Sequence, residues 1–178
     1  IVLQYNLRQA RLRLADLQTR GKTGTVVSFG DDLGMQDRLA IGPRKWRKYL
    51  KPCFAQIYKP FRDAGYYVYM HTDGHIVEII PDLIDCGVNV INPQVGANGL
   101  DNLAVMCRGK VCVDLDLDRQ QFPFFTPQDI DDHIHEAVDK LGSPAGGLWL
   151  KAEIGMDVPL ENIEAIFSAL EKYRTYYN

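Results

Sequence analysis

His71-Thr72-Asp73 places an imidazole and a carboxylate two residues apart, immediately before Gly74. Side chains alternate along a β-strand with a period of two, so on a strand this pair shares one face. There it can take adjacent positions on one divalent metal ion, or act without metal as a general base and its orienting partner. Gly74 leaves room for a ligand beside it. Polar residues also close the other apolar runs of the chain: Asp31 and Asp32, Asn92 and Gln94, Asp114 and Asp116, and Lys151 and Glu153. Asn92 with Gln94, and Lys151 with Glu153, repeat the same-face spacing. For Asp31 and Asp116 a second reading stands beside the functional one, because carboxylates commonly cap the helix that follows. His75 is expected to begin the next helix and point elsewhere.

These residues must be positioned by the elements that precede them. Leu7, Leu12, Leu14 and Leu17 among arginines predict an amphipathic helix from about Tyr5 to Arg20, stopped by Gly21. Strands are predicted over Thr25–Phe29, Tyr66–Met70, Val88–Ile91, Val111–Leu115 and Leu148–Leu150. Each is followed by a helix: Arg44–Ala64, Ile76–Asp85, Gly99–Cys107, Pro127–Leu141 and Leu160–Tyr173. Pro52 and Pro60 should break or kink the first of these. Alternation of this kind implies an α/β fold with a parallel sheet, since parallel neighbours need a crossover. Periodicity alone leaves two architectures equal: a doubly wound open sheet and a (β/α)₈ barrel. Gly30-Asp31-Asp32-Leu33-Gly34 favours the barrel, because it sets carboxylates where a nucleotide-binding turn would offer backbone amides.

Composition narrows the classes. A formal net charge of −3 and a pI near 5.8 give no overall positive field for nucleic acid or anionic lipid. No apolar run approaches the ~20 residues of a membrane span, and Arg8, Arg11, Arg13 and Asp16 interrupt any signal-like core. The expected location is the cytoplasm. Cys53, Cys86, Cys107 and Cys112 lack CxxC spacing and sit in apolar-periodic segments, as reduced core thiols do. The basic run Arg44, Lys45, Arg47, Lys48 and Lys51 reads as a solvated helix face, and the tyrosines as packing residues. Phe122-Pro123-Phe124-Phe125 is either an active-site loop or a dimer contact.

Several motifs in order carry a resemblance: Gly30-Asp31-Asp32-Leu33-Gly34, Pro43-x-x-Trp46-Arg47-Lys48-Tyr49-x-Lys51-Pro52, His71-Thr72-Asp73-Gly74, Gly87-Val88-x-x-Ile91-Asn92-Pro93, Gly146-Gly147, and Val158-Pro159-x-Glu161-Asn162-Ile163. From about Thr23 onward the chain resembles the C-terminal half of the uroporphyrinogen decarboxylase and corrinoid-dependent methyltransferase superfamily. The resemblance implies a (β/α)8 TIM barrel, of which residues 1–178 supply about the last five strand-helix units, the N-terminal part being missing. Two activities are implied. The decarboxylases act without metal or cofactor, using N-terminal arginines, an aspartate and a Gly-His-Gly after the last strand. The methyltransferases exchange a methyl group with a corrinoid protein and hold zinc with His-x-Cys and a distant Cys. Here Ala152-Glu153-Ile154-Gly155 stands at the Gly-His-Gly position, Asp73 replaces the first cysteine and Glu153 falls near the second.

The expectation is metal-assisted methyl transfer between a small methylated substrate and a corrinoid carried by a partner protein. His71, Asp73 and Glu153 are expected to hold a divalent ion, zinc first among the choices. Asp31 is a further catalytic candidate, and Asp32, Asn92, Gln94 and Lys151 are expected to meet the substrate. The alternatives are cofactor-free decarboxylation, with His71 and Asp73 as a protonating pair, and a non-catalytic half-barrel interaction module. In each case an N-terminal barrel half or a second copy is expected to cover the open sheet edges.

Overall fold

The computed structural model describes residues 1–177. Its five strands are β1 (Val26–Gly30), β2 (Tyr67–Thr72), β3 (Val88–Pro93), β4 (Cys112–Asp116) and β5 (Leu148–Lys151). They follow one another in a single sheet in the order of the sequence. A doubly wound sheet reverses its strand order at a switch point, whereas a barrel winds in one direction. Sequential order therefore resolves the two architectures that periodicity left equal: these are five consecutive strand-helix units of a (β/α)₈ barrel. Among the described residues no helix is long and apolar enough to cross a membrane.

The chain divides into two compact units, Ile1–Ile91 and Asn92–Asn178. In the first, α1 (Val2–Thr19) precedes β1, and α2 (Pro43–Tyr49) and α3 (Lys51–Asp63) follow it. The long helix expected over Arg44–Ala64 is broken at Leu50, so that Pro52 enters the first turn of α3, where its missing N–H costs nothing. Pro60 is carried inside α3. Val27 of β1 and Val68 and Met70 of β2 are buried, as are Tyr58 and Phe61 of α3. Phe29 joins them, 4.9 Å from the Tyr58 ring and 5.5 Å from Phe61. Alternation then turns Ser28, Gly30, Tyr69 and His71 to the opposite face of the sheet. Arg13 of α1 donates to the Ser28 carbonyl at 2.8 Å, with its guanidinium 5.6 Å from the centre of the Phe29 ring.

The helix expected over Ile76–Asp85 begins as a 3₁₀ turn (Val77–Ile79) and continues as α4 (Ile80–Asp85), with Pro81 in its first turn. Arg44, Lys45, Arg47 and Lys48 are exposed, as a solvated helix face requires, but Arg47 and Lys51 also reach Asp82 of α4. Arg47 donates to it at 2.7 Å and Lys51 at 2.7 Å, while Lys51 also reaches Asp85 at 3.1 Å. Burial on its own would raise the Asp82 carboxyl, but the hydrogen bonds and charges of Lys51 and Arg47 outweigh it and hold the pKa below the ordinary value.

In the second unit, α5 (Val95–Asn98) and α6 (Leu100–Cys107) follow β3, α7 (Pro127–Leu141) follows β4, and α8 (Leu160–Tyr173) follows β5. Thr126 and Asp129 form a reciprocal capping box at the start of α7. Val113 and Leu115 of β4 are buried, with Ile130, Ile134 and Leu141 of α7 and Ile166 of α8. The Phe122–Phe125 segment is neither an open loop nor a ready contact surface at its start. Phe122 is fully buried, and the Asn162 side chain donates to the carbonyls of Phe122 and Phe125 at 2.8 and 2.7 Å. All four cysteines are free thiols. Burial pushes Cys86 up to about 11 and Cys107 up to about 12, which suits core residues and not metal-binding thiolates.

The Asp82 clamp has a pH signature. A carboxyl with a depressed folded pKa stabilises the fold above its unfolded pKa, near ~3.9, and that contribution is lost as pH falls through the lower folded value. Asp82→Asn should lower stability to urea by about 1.5–3 kcal/mol at pH 7. The difference from wild type should shrink below about pH 3, where the native carboxylate is itself protonated; an undiminished difference there would rule out this origin.

Candidate functional site

Beyond Gly30 the ladder between β1 and β2 does not stop. Gly30 pairs with His71 in parallel register, and the Asp31 amide then donates to the His71 carbonyl at 3.1 Å. The Leu33 amide donates to the Thr72 hydroxyl at 3.1 Å, the Gly34 amide to the Asp73 carbonyl at 3.2 Å, and the His75 amide to the Met35 carbonyl at 2.7 Å. Thr72 is fully buried, and its hydroxyl donates in turn to the Asp73 carbonyl at 3.1 Å. Two irregular segments are thus fastened backbone to backbone. A methyl group at Gly34 would collide with the His75 nitrogen and with Gly74, and one at Gly74 with the Gly34 carbonyl group. Gly74 also has φ +78°, a conformation that L side chains rarely adopt. Gly34 and Gly74 are therefore each required by contact with the other.

This fastening brings Asp32, His71 and Asp73 together. One ligand atom from each lies within 4.8 Å of the other two, the one such group of metal-ligating side chains among the described residues. His71 Nε2 and Asp73 Oδ2 are 3.9 Å apart. Ligands at ~2.1 Å from a shared ion are separated by roughly 3–3.5 Å, a little less than this pair. The His71 and Asp73 side chains are 41% and 59% exposed, so both are open to solvent.

Asp31 and Asp32 diverge. Asp31 lines a cleft of about 700 Å³ between α1 and α3, together with Ala10, Phe29, Cys53, Phe54 and Tyr58, and it is not part of the three-residue group. At adjacent positions in an irregular turn, sequence alone does not say which carboxylate turns toward His71; the structure gives that place to Asp32 and sets Asp31 in the cleft. His75 turns toward Glu78, with 3.7 Å between their charged atoms.

The remaining candidates lie in the second unit. Asp116 is bridged by Lys151 at 2.8 Å and by the Asn92 amide at 3.2 Å. Asn92 also donates to the Asp114 carbonyl at 2.6 Å, and Asp114 Oδ2 lies 3.6 Å from Lys151 Nζ. Burial opposes the charge on Lys151, but the Asp116 hydrogen bond and the charges of both aspartates prevail and raise its pKa. Asn92, 2% exposed, orients this network from below. Gln94 sits at the N-terminal end of α5, where its carbonyl accepts from the Asn98 side chain at 2.8 Å. Glu153, expected as a metal ligand, is instead paired with Arg119 and lies outside the three-residue group, whose third member is Asp32. Arg119 carries no motif that would have singled it out. Asp114 was legible as a strand-end carboxylate on the same face as Asp116.

If the glycine contact holds the site, Gly34→Ala should disturb it through sterics alone, since φ there is not in the left-handed region. A loss of about 1–3 kcal/mol is expected for overpacking, together with shifted imidazole NMR signals of His71. Thr72→Val should cost about 1–3 kcal/mol by leaving the buried Leu33 amide without its acceptor. Unchanged melting and unchanged His71 signals in both variants would contradict this account.

The geometry can be set beside known proteins. Over 96% of its length the chain superposes on 65% of a Yersinia pestis dihydropteroate synthase (DHPS) determined with a pterine-sulfa conjugate, with a TM-score of 0.52 and 16% identity. Over 94% of its length it superposes on 63% of a dihydropteroate synthetase determined with a product, with a TM-score of 0.51 and 17% identity. The chain spans just under two thirds of these solved chains, and at such identities the likeness shows the fold alone. No curated protein matches it. Residues 22–173, nearly the whole chain and all five strand-helix units, match the model of the uroporphyrinogen decarboxylase (URO-D) family. The chain belongs to the uroporphyrinogen decarboxylase family.

Proposed function

We propose that this chain forms part of an enzyme that transfers a methyl group between a small methylated substrate and a corrinoid carried by a partner protein, assisted by a divalent ion held by Asp32, His71 and Asp73. The observation that carries the proposal is the convergence of those three side chains, with donor atoms within 4.8 Å of one another, at adjacent strand ends. One imidazole and two carboxylates form a harder donor set than thiolates do. It suits zinc or a harder divalent ion, and three protein ligands leave positions open. The bond that breaks joins the methyl carbon to oxygen or sulfur and its electron pair stays on that heteroatom, where the ion would stabilise the developing charge; the methyl group would pass to the reduced corrinoid of the partner, which supplies both electrons of the new bond.

The chain's own residues account for the rest of the work. Thr72 and the Gly34–Gly74 contact fix the backbone from which Asp32, His71 and Asp73 project. Pre-positioning of this kind removes the reorganisation that a flexible loop would require. Family resemblance supports the corrinoid partner. The charges at the strand ends weigh against a substrate bearing many carboxylates, as a decarboxylase of tetrapyrroles would need. Asp32 and Asp73 stand beside His71 in one unit, and in the other the Lys151 cation is already engaged by Asp116 and Asp114.

Metal analysis of the purified chain should find about one divalent ion per chain at neutral pH. Asp32→Ala, His71→Ala and Asp73→Ala should each abolish stoichiometric binding, whereas Glu153→Ala should retain it. Binding that survives all three of the first variants, or that disappears only with Glu153, would remove this assignment.

A further inference from the structure

The loop between β4 and α7 (117–126) is held unequally along its length. Its second half is fastened by side chains: Phe122 is fully buried, Asn162 donates to the carbonyls of Phe122 and Phe125, and Thr126 and Asp129 cap α7 reciprocally. At its start Leu117 is buried, and its amide donates to the Lys151 carbonyl at 2.9 Å. Arg119, Gln120 and Gln121 then stand exposed, and Arg119 reaches across to Glu153, beyond the end of β5. The Gln121 amide donates to the Asp118 carbonyl at 3.1 Å, so residues 118–121 form one turn. That turn hangs on a single side chain of α7, since the Asp118 amide donates to Nε2 of His133 at 3.2 Å.

A backbone amide can only donate, so this contact requires Nε2 to be the bare nitrogen and Nδ1 to carry the ring proton. Imidazolium has no bare nitrogen, and its Nε2–H meets the Asp118 N–H donor to donor. We infer that His133 is a proton-operated latch for this loop: the neutral ring holds the Asp118 backbone, and protonation of the ring frees the 118–121 turn and with it the Arg119–Glu153 bridge at the strand ends. The charged ring has an alternative acceptor in the Asp118 carboxylate, which in the neutral state accepts from the Gln120 amide at 3.2 Å. Turning that carboxylate to the imidazolium takes the acceptor away from Gln120, so the turn is loosened on this course as well.

The groups around the ring set the direction of the response. Phe125 packs against it from the loop, with ring centres 5.9 Å apart, and the carboxylates that face it are Asp118 from the loop and Glu136 from α7 itself. Burial disfavours the imidazolium and outweighs both carboxylates, so the His133 pKa lies below its ordinary value near ~6.5. The latch is therefore shut at neutral pH. Its contribution is present above the ordinary histidine value and is lost as pH falls through the lower folded one. The latch needs no metal and is independent of the proposed methyl transfer.

The test is an NMR titration of the full chain from about pH 8 to about pH 4.5, a range that brackets histidine ionisation. The imidazole nitrogen shifts of His133 should show an unprotonated Nε2 at neutral pH and a midpoint below ~6.5. Hydrogen-exchange protection of the Asp118 amide, taken relative to its intrinsic rate at each pH, should fall by roughly tenfold across that midpoint, as loss of one hydrogen bond allows. The Arg119 side-chain signals should move in the same step. In His133→Gln a carbonyl oxygen stands in for Nε2 and accepts at any pH, so protection should be kept and its pH step lost. A protonated Nε2 at neutral pH, protection that stays level through the His133 titration, or an equal step in folded His133→Gln overturns the inference. The first two are read on the wild-type chain, whether or not the variant folds.

Discussion

The Gly34–Gly74 contact is the constraint on which the first unit's chemistry depends. Two backbone segments approach so closely that neither position has room for a β-carbon. That proximity lets the amides of Leu33, Gly34 and His75 find acceptors across the gap, although the regular ladder has already ended. Buried backbone groups need such partners, and here the partners come from the loops that bear the reactive side chains. A site usually assigned to mobile loops is therefore tied to the rigid sheet. The backbone fastening thus carries Asp32, His71 and Asp73 to one place.

The sheet imposes a second rule. All strand ends that close on polar residues do so at the carboxyl end, where a barrel assembles its sites. On β1 and β2, apolar side chains turn toward α3, and Ser28, Tyr69 and His71 turn away. On β4, Val113 and Leu115 are buried while Asp114 and Asp116 share the face of Lys151. One alternation thus separates packing from chemistry in each unit. The same separation keeps the cysteines apart from the candidate ligands: burial holds Cys86, Cys107 and Cys112 in the protonated form.

Much of this was legible in the residues because local signals agreed. Helix boundaries at Pro127–Leu141 and Leu160–Tyr173 match the structure, since a proline near one start, apolar periodicity in both and Gly142 after α7 all point the same way. His71 and Asp73 could be paired from spacing because a strand has a fixed period. Asp32 could not be separated from Asp31, because an irregular turn has none. Glu153 was drawn in by analogy with a distant cysteine ligand, and only coordinates place Arg119 against it. The basic run Arg44–Lys51 was legible as an exposed helix face, but the pairing of Arg47 and Lys51 with Asp82 was not, because Asp82 lies in a later helix and no local rule connects them.

Arg13 bears on a different property. Its guanidinium occupies the Ser28 carbonyl of β1, the first strand in the sheet order, and lies over the neighbouring Phe29 ring. One helix residue thereby ties α1 to the strand that follows it through two unlike contacts, a backbone acceptor and an aromatic face.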